Sequence, residues 1–391
     1  MAANDIYFDN AATTRPSPDV CETVCQAMRE RYGNPSSLHA RGYEAERVVG
    51  EARGDVARAM GTDAGRVFFT AGGTEANNMA IAGVCGHAPR GGANRAVTTR
   101  AEHPSVLEPY KAAERNGWRV EYVKVDSGGI IDLEALEAAL DGGAALITLT
   151  CVNNETGAIQ PIAEAAALRD GKCPDALLHL DCAQSFAKLP LNPVKCGLDI
   201  VTASAHKIHG PKGAGAIWLS ERVRLNPLML GGGQEGGLRP GTENVPAIAG
   251  FGTAAREAAG RQNEDYEHAR NLKRLMLSEI SRLGVECARV SENSPCSPYI
   301  LTLSFPGLLS EPLINHLSRE GVYASSGSAC SSRRRAKSGS HVLAAMGLRR
   351  DIIEGAVRFS FSRYNTPAEV TAAVEILKNV TSEIARGGRR Q

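Results

Sequence analysis

The sequence lacks any long run of hydrophobic residues. Its uninterrupted apolar stretches, such as Ala144–Ile147, are far shorter than the roughly 18 residues that a membrane-spanning helix needs. The first ten residues, MAANDIYFDN, include an acid and lack the apolar segment of a secretory signal. We therefore expect a cytoplasmic protein with no membrane association.

An excess of charge of one sign is also missing. The chain has 44 basic and 43 acidic side chains, a net charge of +1, so no overall positive field favours direct binding of nucleic acid. Hydrophobic residues at 43% and charged residues at 22% exclude a disordered chain. With 391 residues the chain is long enough for one large α/β unit and a smaller one.

The ten cysteines include no CxxC pair. This spacing does not favour structural zinc, so we expect no metal site. A cytosolic chain of this length also does not need disulfides. Most of the cysteines are predicted to be small buried hydrophobic residues. Cys330 differs, because it lies in a segment of small polar residues.

Short β-rich runs alternate with helical segments between about residues 66 and 220. Near-continuous apolar strands separated by helices predict an α/β fold with a mainly parallel sheet, covered on both faces. The predicted strands cover residues 66–70, 95–99, 119–125, 144–152, 176–180, 199–204 and 215–220. A long helical stretch over 246–283 then leads to a second set, with strands at 299–305, 322–326 and 357–362, which predicts a smaller α+β domain.

Lys207 lies in the segment SAHKIHGPKG, directly after a predicted buried strand. A lysine at such a place can simply extend to the surface. A desolvated lysine, however, has a lowered pKa and forms Schiff bases with aldehydes, which points to pyridoxal 5'-phosphate (PLP). This cofactor places further demands on the sequence.

An acid is needed against the pyridine nitrogen of PLP. Asp181 ends the apolar strand ALLHL, where ligands of open α/β sheets bind, and Gln184 follows three residues later at a distance that suits the ring hydroxyl. The alternative for Asp181 is the N-cap of a following helix.

The phosphate and the ring also need partners. TAGGTEANN places Gly72, Gly73 and Thr74 between a strand and a helix start, so backbone N–H groups face an anion, although such turns are common. His103 begins the next turn of this kind, at a place that suits stacking on the ring, although a lone histidine is usually structural.

Arg358 is an arginine within the apolar strand AVRFS. A buried guanidinium needs a partner, which favours a bound substrate carboxylate. The alternative is a salt bridge inside the protein, with a residue such as Glu354.

Ten motifs occur in one order along nearly the whole chain. They are MAANDIYFDNAATT, YGNPSSLHARG, TAGGTEANN, AEHPSV, VNNETG, DCAQS, SAHKIHGPKG, RPGTENVPAIAG, SSGSACSS and VRFSFSR. The sequence closely resembles the NifS/IscS-type (group I) cysteine desulfurases. The resemblance implies the aminotransferase-like fold (fold type I), with a large PLP-binding domain at 16–258. A small domain would comprise 1–15 and 259–391 and carry the cysteine loop 325–340.

The resemblance also implies residue roles. Lys207 would form the Schiff base, Asp181 would pair with the pyridine nitrogen, and His103 would stack on the ring. The other cofactor contacts would be Gln184 and Asn154 near the ring hydroxyl, Gly73, Thr74, Ser204 and His206 at the phosphate, and Thr242 at the phosphate of a neighbouring subunit. Arg358 and Asn34 would bind the cysteine carboxylate.

Cys330 distinguishes a desulfurase from a plain aminotransferase. Its segment, SSGSACSSRRRAKSGS, suits an accessible nucleophile better than a packing residue. The resemblance implies that Cys330 takes the substrate sulfur as a persulfide. The basic run at 333–337 suits an acidic acceptor protein, but a solvated basic face explains it equally well.

These observations predict a cysteine desulfurase that converts L-cysteine to L-alanine with Cys330, Lys207 and His103 as catalytic residues. Lys207 would move the α-proton and His103 would transfer protons at the substrate thiol or the ring. The sulfur would pass to an acceptor such as an iron–sulfur scaffold or a tRNA-thiolation protein, and the enzyme would be a homodimer. The alternatives are a selenocysteine lyase or another C–S lyase, and a non-catalytic scaffold.

Overall fold

A computed structural model describes residues 5–86, 94–326 and 339–388. Cys330 and the basic run 333–337 therefore lie outside the described residues, and their predicted roles stay predictions. None of the described helices is long and apolar enough to cross a membrane.

The larger sheet has seven strands in the order β2-β8-β7-β6-β5-β3-β4. The strands are β2 (Val67–Thr70), β3 (Arg95–Thr99), β4 (Arg119–Val123), β5 (Leu146–Thr150), β6 (Leu177–Asp181), β7 (Ile200–Ser204) and β8 (Gly215–Leu219). The pairs formed among β3 to β7 are parallel, whereas β8 is antiparallel to both of its neighbours. Strands β5, β7 and β8 are buried along their whole length, as expected for a sheet covered on both faces.

Twelve helices surround the strands in the described part of the chain. They are α1 (Pro18–Glu30), α2 (Ala40–Met60), α3 (Gly73–Cys85), α4 (Pro104–Arg115), α5 (Leu133–Leu140), α6 (Ile162–Lys172), α7 (Val245–Gly260), α8 (Gln262–Leu283), α9 (Ser310–Arg319), α10 (His341–Ala345), α11 (Arg350–Glu354) and α12 (Pro367–Gly388). Local sequence sets several of their ends. Ser17 and His103 cap α1 and α4, each directly before a proline, and Gly61 ends α2 in the left-handed conformation at φ +73°.

The remaining strands form two smaller sheets. Strands β9 (Ala288–Arg289), β10 (Ile300–Ser304) and β12 (Ala356–Ser360) form an antiparallel sheet, and β1 (Ile6–Tyr7) pairs in parallel with β11 (Val322–Tyr323). Asp9 forms a further bridge to Ser360. The first strand thus pairs with the C-terminal part of the chain, and the domain boundaries near residues 15 and 258 remain predictions.

The long helical stretch predicted over 246–283 is helical, but it consists of the two helices α7 and α8. The helix is interrupted at Arg261, whose backbone has φ −117° and ψ 9°. The Arg261 side chain bonds to Glu264 and Asp265 in the first turn of α8, which stabilises the new start. The burial pattern changes there too, since α7 is buried around most of its surface and α8 along one side only.

Candidate active site

Lys207 ends a short 3-10 turn, Ala205–Lys207, that directly follows the buried strand β7. Its Nζ donates hydrogen bonds to the carbonyl oxygens of Ala11 at 2.6 Å and Ala12 at 2.8 Å. The backbone after this turn packs closely against it, since a Cβ at Gly210 would lie only 2.7 Å from the carbonyl oxygen of Ala205. The amine is therefore held at the carboxyl end of β7 by a segment near the N-terminus.

Asp181 is the last residue of β6 and is buried. Its Oδ2 accepts a hydrogen bond from Nδ2 of Asn77 at 2.7 Å, and its Oδ1 accepts one from the backbone N–H of Ala183 at 2.9 Å. The alternative role as an N-cap is wrong, because the residues after Asp181 continue as turns rather than as a helix. The carboxylate instead closes a local turn and keeps its remaining acceptor capacity at the sheet edge.

His103 caps α4 and lies within electrostatic reach of both Asp181 and Lys207. Burial lowers its pKa, Lys207 and His341 lower it further, and the carboxylate of Asp181 opposes them. The ring Nδ1 accepts from the backbone N–H of Ser105 at 3.1 Å and lies 2.7 Å from the Ser105 hydroxyl. The structure thus brings together three of the predicted cofactor residues.

The predicted phosphate loop forms the start of α3. Gly72 caps this helix without any side-chain hydrogen bond, so the first N–H groups of the helix have no capping side chain. A Cβ on Gly73 would lie 3.5 Å from Cβ of Ser204, which places the two residues side by side. The buried Oγ of Ser204 has no hydrogen-bond partner among the described residues. Helix N–H groups and an unsatisfied hydroxyl fit a bound phosphate.

Thr74 and His206 complete this predicted set. Thr74 is exposed in the first turn of α3. Nδ1 of His206 lies 3.2 Å from the hydroxyl of Thr13. Burial, with the nearby charges of Lys207 and Lys212, lowers the pKa of His206 to about 3, so its ring is neutral at physiological pH.

Arg358 is buried in β12 with its guanidinium largely committed. One terminal nitrogen donates to the carbonyl oxygen of Asn154 at 2.7 Å, and the other forms an ion pair with Asp9 at 2.9 Å. The alternative partner named from the sequence is wrong, because Glu354 pairs with Arg350 instead. The Nε donor of Arg358 is buried and has no partner in the described chain, so one hydrogen-bonding position remains.

The other predicted residues fall into two groups. Gln184 is buried and donates to the carbonyl oxygen of Ala11 at 2.9 Å, the same atom that Lys207 contacts. Asn34 and Thr242 are exposed, and no described hydrogen bond or ion pair connects them to Lys207, Asp181 or Arg358. Their neighbours Pro35, Ser36 and Glu243 line one common surface depression.

Three residues of the site were missed by sequence reasoning. Asp9 contacts Arg358, Asn77 contacts Asp181, and Ser105 contacts His103. Each lies inside one of the ten motifs quoted from the sequence. The signal that identifies Asn77 is a polar side chain between the buried residues Ala76 and Met79 of α3.

Comparison with known proteins identifies the family. The aminotransferase class-V family matches residues 6–373. The chain belongs to this family. It is 38% identical over 380 residues to a cysteine desulfurase of Nostoc sp., covering 97% of this chain and 93% of the relative. It is 37% identical to the cysteine desulfurase IscS 1 of Archaeoglobus fulgidus, covering 97% of both chains.

A solved structure described as a NifS-like protein superimposes on this member of the class-V family with a TM-score of 0.89. That structure is 36% identical and covers 98% of this chain and 100% of its own. The predicted relationship to the NifS/IscS-type enzymes and the predicted α/β transferase fold are therefore confirmed.

Proposed function

We propose that this class-V family member converts L-cysteine to L-alanine and passes the sulfur on as a persulfide of Cys330. The predicted PLP-dependent cysteine desulfurase activity is confirmed by relatives of that name over nearly the full length. The observation that carries the residue assignments is the grouping of Lys207, Asp181 and His103 at the carboxyl edge of one sheet, within electrostatic reach of each other.

The residues at this edge fit PLP. Gly73, Thr74, Ser204 and His206 would hold the phosphate, since helix N–H groups and the unsatisfied hydroxyl of Ser204 lie together there. Asp181 would accept from the ring nitrogen, His103 would stack on the ring, and Gln184 and Asn154 would lie near the ring hydroxyl. When bound, PLP supplies an electron sink for bond breaking at the substrate.

Lys207 would bind the cofactor aldehyde and then move the α-proton of the substrate. The carbonyl oxygens of Ala11 and Ala12 accept hydrogen bonds from its Nζ, so they would fix the position of the amine when no Schiff base is formed. The N–H donors of Asn77 and Ala183 orient the Asp181 carboxylate. These contacts support a preorganised site.

Arg358 would bind the substrate carboxylate through the donors that the protein leaves to it. Its Nε is buried without a partner, and its ion pair with Asp9 fixes the plane of the guanidinium. Burial raises the pKa of Asp9 above its usual value, and the charges of Arg358 and Lys207 oppose this rise, which places Asp9 near both cations. Asp9 would therefore lie beside both the proposed carboxylate site and the amine of Lys207.

The sulfur step rests on the sequence alone. The thiolate of Cys330 would form an S–S bond with the substrate sulfur while the C–S bond breaks. This leaves a persulfide on Cys330 and, after protonation of the carbon, alanine. An iron–sulfur scaffold or a tRNA-thiolation protein would accept the sulfur in the cytoplasm, and the name of the Archaeoglobus relative favours the first.

In a homodimer, Thr242 would contact the phosphate of the neighbouring subunit and Asn34 would help to bind the substrate carboxylate. Large hydrophobic side chains are exposed close to both residues in the sequence, and such patches mark interaction surfaces. Near Asn34 these are Met28, Tyr32, Leu38 and Tyr43, and near Thr242 they are Leu228, Met229 and Leu230. Leu38 and Leu230 are 88% and 92% exposed, so their burial in a subunit interface would be favourable.

Product analysis tests the proposed reaction. The purified protein with PLP, L-cysteine and a thiol reductant should form alanine and sulfide in equal amounts. A C–S lyase that eliminates the sulfur would instead form pyruvate and ammonia. Pyruvate as the main product would replace the proposal with the lyase alternative, and the absence of any product would favour the scaffold alternative.

A further inference from the structure

A chain of buried polar side chains runs across the large sheet and ends at the proposed cofactor site. It crosses β5, β6 and β7, enters α3, and reaches the first turn of α4. Its members, in order, are Tyr110, Thr148, His179, Thr202, Asn77, Ser105 and the ring of His103. All of these except His103 are at most 7% exposed. Buried polar groups with this much desolvation need complete hydrogen bonding.

The direction of the chain is fixed at the His103 end. The backbone N–H of Ser105 can only donate, and it points at Nδ1 of His103 from 3.1 Å. Nδ1 is therefore an acceptor and carries no proton. The Ser105 hydroxyl, 2.7 Å from the same nitrogen, must also donate to it. A neutral ring then carries its single proton on Nε2.

Asn77 is the branch point. Its amide nitrogen donates one hydrogen to Oδ2 of Asp181 at 2.7 Å and the other to Oγ of Ser105 at 2.9 Å. The reversed amide would place a carbonyl oxygen against the carboxylate, which is repulsive, so the orientation is determined. Its Oδ1 accepts from the hydroxyl of Thr202 at 2.6 Å.

The rest of the chain follows the same direction. Since Thr202 has donated its hydrogen to Asn77, it accepts from Nε2 of His179 at 3.4 Å. Nδ1 of His179 then accepts from Thr148 at 3.2 Å, and Thr148 accepts from the hydroxyl of Tyr110 at 2.6 Å. Burial lowers the pKa of His179 to about 4, so this ring is neutral and has the single proton that the scheme requires.

We propose that Asn77 and Ser105 are positioning residues that hold His103 neutral with its proton on Nε2 and fix the orientation of the Asp181 carboxylate. This inference rests on the proposed function and deepens it. His103 then presents an N–H donor to the cofactor side through Nε2. A second proton would have to bind Nδ1, where the Ser105 backbone N–H already points. Nδ1 of His103 therefore does not act as a base.

The electrostatic surroundings agree with a neutral ring. Burial, Lys207 and His341 all act against the charged form of His103, whereas the carboxylate of Asp181 favours it. The Asp181 carboxylate is itself engaged by Asn77 and by the N–H of Ala183. One residue, Asn77, thus connects the orientation of the acid to the tautomer of the histidine.

The first test is the tautomer itself. NMR of the apoprotein with 15N-labelled histidine, from pH 6 to 8, reports which ring nitrogen of each of the nine histidines carries a proton. The His103 signals are assigned by their loss in His103→Gln. We expect one protonated nitrogen, Nε2, over the whole range. A proton on Nδ1, or a doubly protonated ring at pH 7, would overturn the inference.

The second test uses two variants of the chain and one matched control. Asn77→Leu removes both donors from a similar volume, and we expect PLP affinity to fall about 10- to 100-fold, as for a lost hydrogen bond to a charged group. Ser105→Ala removes the hydroxyl donor to Nδ1 and keeps the backbone N–H donor, so we expect a shifted Nδ1 signal of His103 with the proton still on Nε2. The control is Thr98→Val, since the Thr98 hydroxyl is equally buried but bonds only to the backbone oxygen of Thr148.

Two results would contradict the role of Asn77 and Ser105. One is wild-type PLP affinity in Asn77→Leu. The other is an unchanged His103 spectrum in Ser105→Ala. If Asn77→Leu does not fold, Thr202→Val replaces it, because this change removes only the hydroxyl that holds Oδ1 of Asn77. A wild-type protein that shows the Nε2 proton but makes no alanine would overturn the proposed function and leave this inference intact.

Discussion

The carboxylate of Asp9 lies 2.9 Å from the guanidinium of Arg358, and this ion pair joins the segment after the first strand to the last strand. The same guanidinium bonds to the backbone of Asn154, so three distant parts of the sequence meet at one side chain. The buried Nε has no hydrogen-bond partner among the described residues. This arrangement suits an arginine that binds a carboxylate in a fixed plane.

Arg358→Lys should therefore raise KM for cysteine while the cofactor spectrum stays unchanged. The ammonium keeps the charge opposite Asp9, but it lacks the Nε donor that would bind the substrate carboxylate. We expect KM to rise about 10- to 100-fold, equivalent to roughly 1.5–3 kcal/mol for hydrogen bonds to a charged group. Steady-state kinetics measure the effect, and a KM equal to that of the wild type would remove Arg358 from the substrate site.

Lys207→Ala should abolish alanine formation while the protein stays folded. PLP can still bind through its phosphate and ring contacts, but borohydride should no longer attach it to the chain. The control is Lys212→Ala, since Lys212 is an exposed lysine of the same loop. Mass spectrometry after borohydride treatment measures the attachment. Retention of the covalent adduct in Lys207→Ala would show that another lysine forms the Schiff base.

The contribution of the Glu102 carboxyl to the stability of the apoprotein should fall as the pH rises between about 4.5 and 8. Burial raises the pKa of Glu102 from 4.5 to about 8, and its Oε2 has no partner among the described residues. The folded protein therefore holds this proton more tightly than the unfolded chain does. The bound proton therefore stabilises the folded state. This stabilisation is fully present below pH 4.5 and is lost progressively up to pH 8.

Glu102→Gln should remove that dependence, because glutamine resembles the protonated acid. At pH 8 we expect the variant to be more stable than the wild type by on the order of 2–4 kcal/mol, with little difference at pH 5. Denaturant unfolding at both pH values measures this, with the exposed residue Glu221 changed to Gln as the control. If the free energy of unfolding changed by the same amount between pH 5 and pH 8 in the wild type and in Glu102→Gln, the assignment to Glu102 would be contradicted.

The proposed dimer makes a separate prediction. Leu230→Asp places a charge on a side chain that is 92% exposed in the single chain, and it should shift the protein to monomers and reduce activity. Val194→Asp is the matched control, since Val194 is also exposed, at 68%, but lies away from Asn34 and Thr242 in the sequence. Light scattering measures the mass. A wild-type protein that is monomeric and fully active would refute the dimer.

The sequence was sufficient for the parts of the fold that leave a periodic or compositional signal. Strands such as 95–99 and the helix start at Gly73 are where the pattern predicted them, because apolar runs and Gly-rich turns are local features. Helices α1 and α2 were not predicted, and the break at Arg261 was missed, since helix-forming residues continue on both sides of it without a proline at the break.

Local sequence was enough to place Lys207 and Asp181 at the carboxyl ends of neighbouring strands, where the structure has them. The candidate site was not predictable where a role depends on a partner far away in the chain. The contact of Asp9 with Arg358 spans 349 residues, and the Asn77 contact with Asp181 spans 104. Such pairs depend on tertiary packing, and neither residue type nor local spacing reveals them.

The measurement that tests the central claim most directly compares Cys330→Ser with Cys21→Ser. Cys21 is an exposed thiol on α1, so it controls for the loss of a reactive cysteine as such. Mass spectrometry of the protein after incubation with L-cysteine, together with alanine analysis, should show a persulfide on Cys330 in the wild type and in Cys21→Ser. In Cys330→Ser, we expect the cofactor spectrum still to respond to cysteine, while alanine and persulfide are almost absent. Normal alanine formation by Cys330→Ser would contradict the proposed persulfide mechanism.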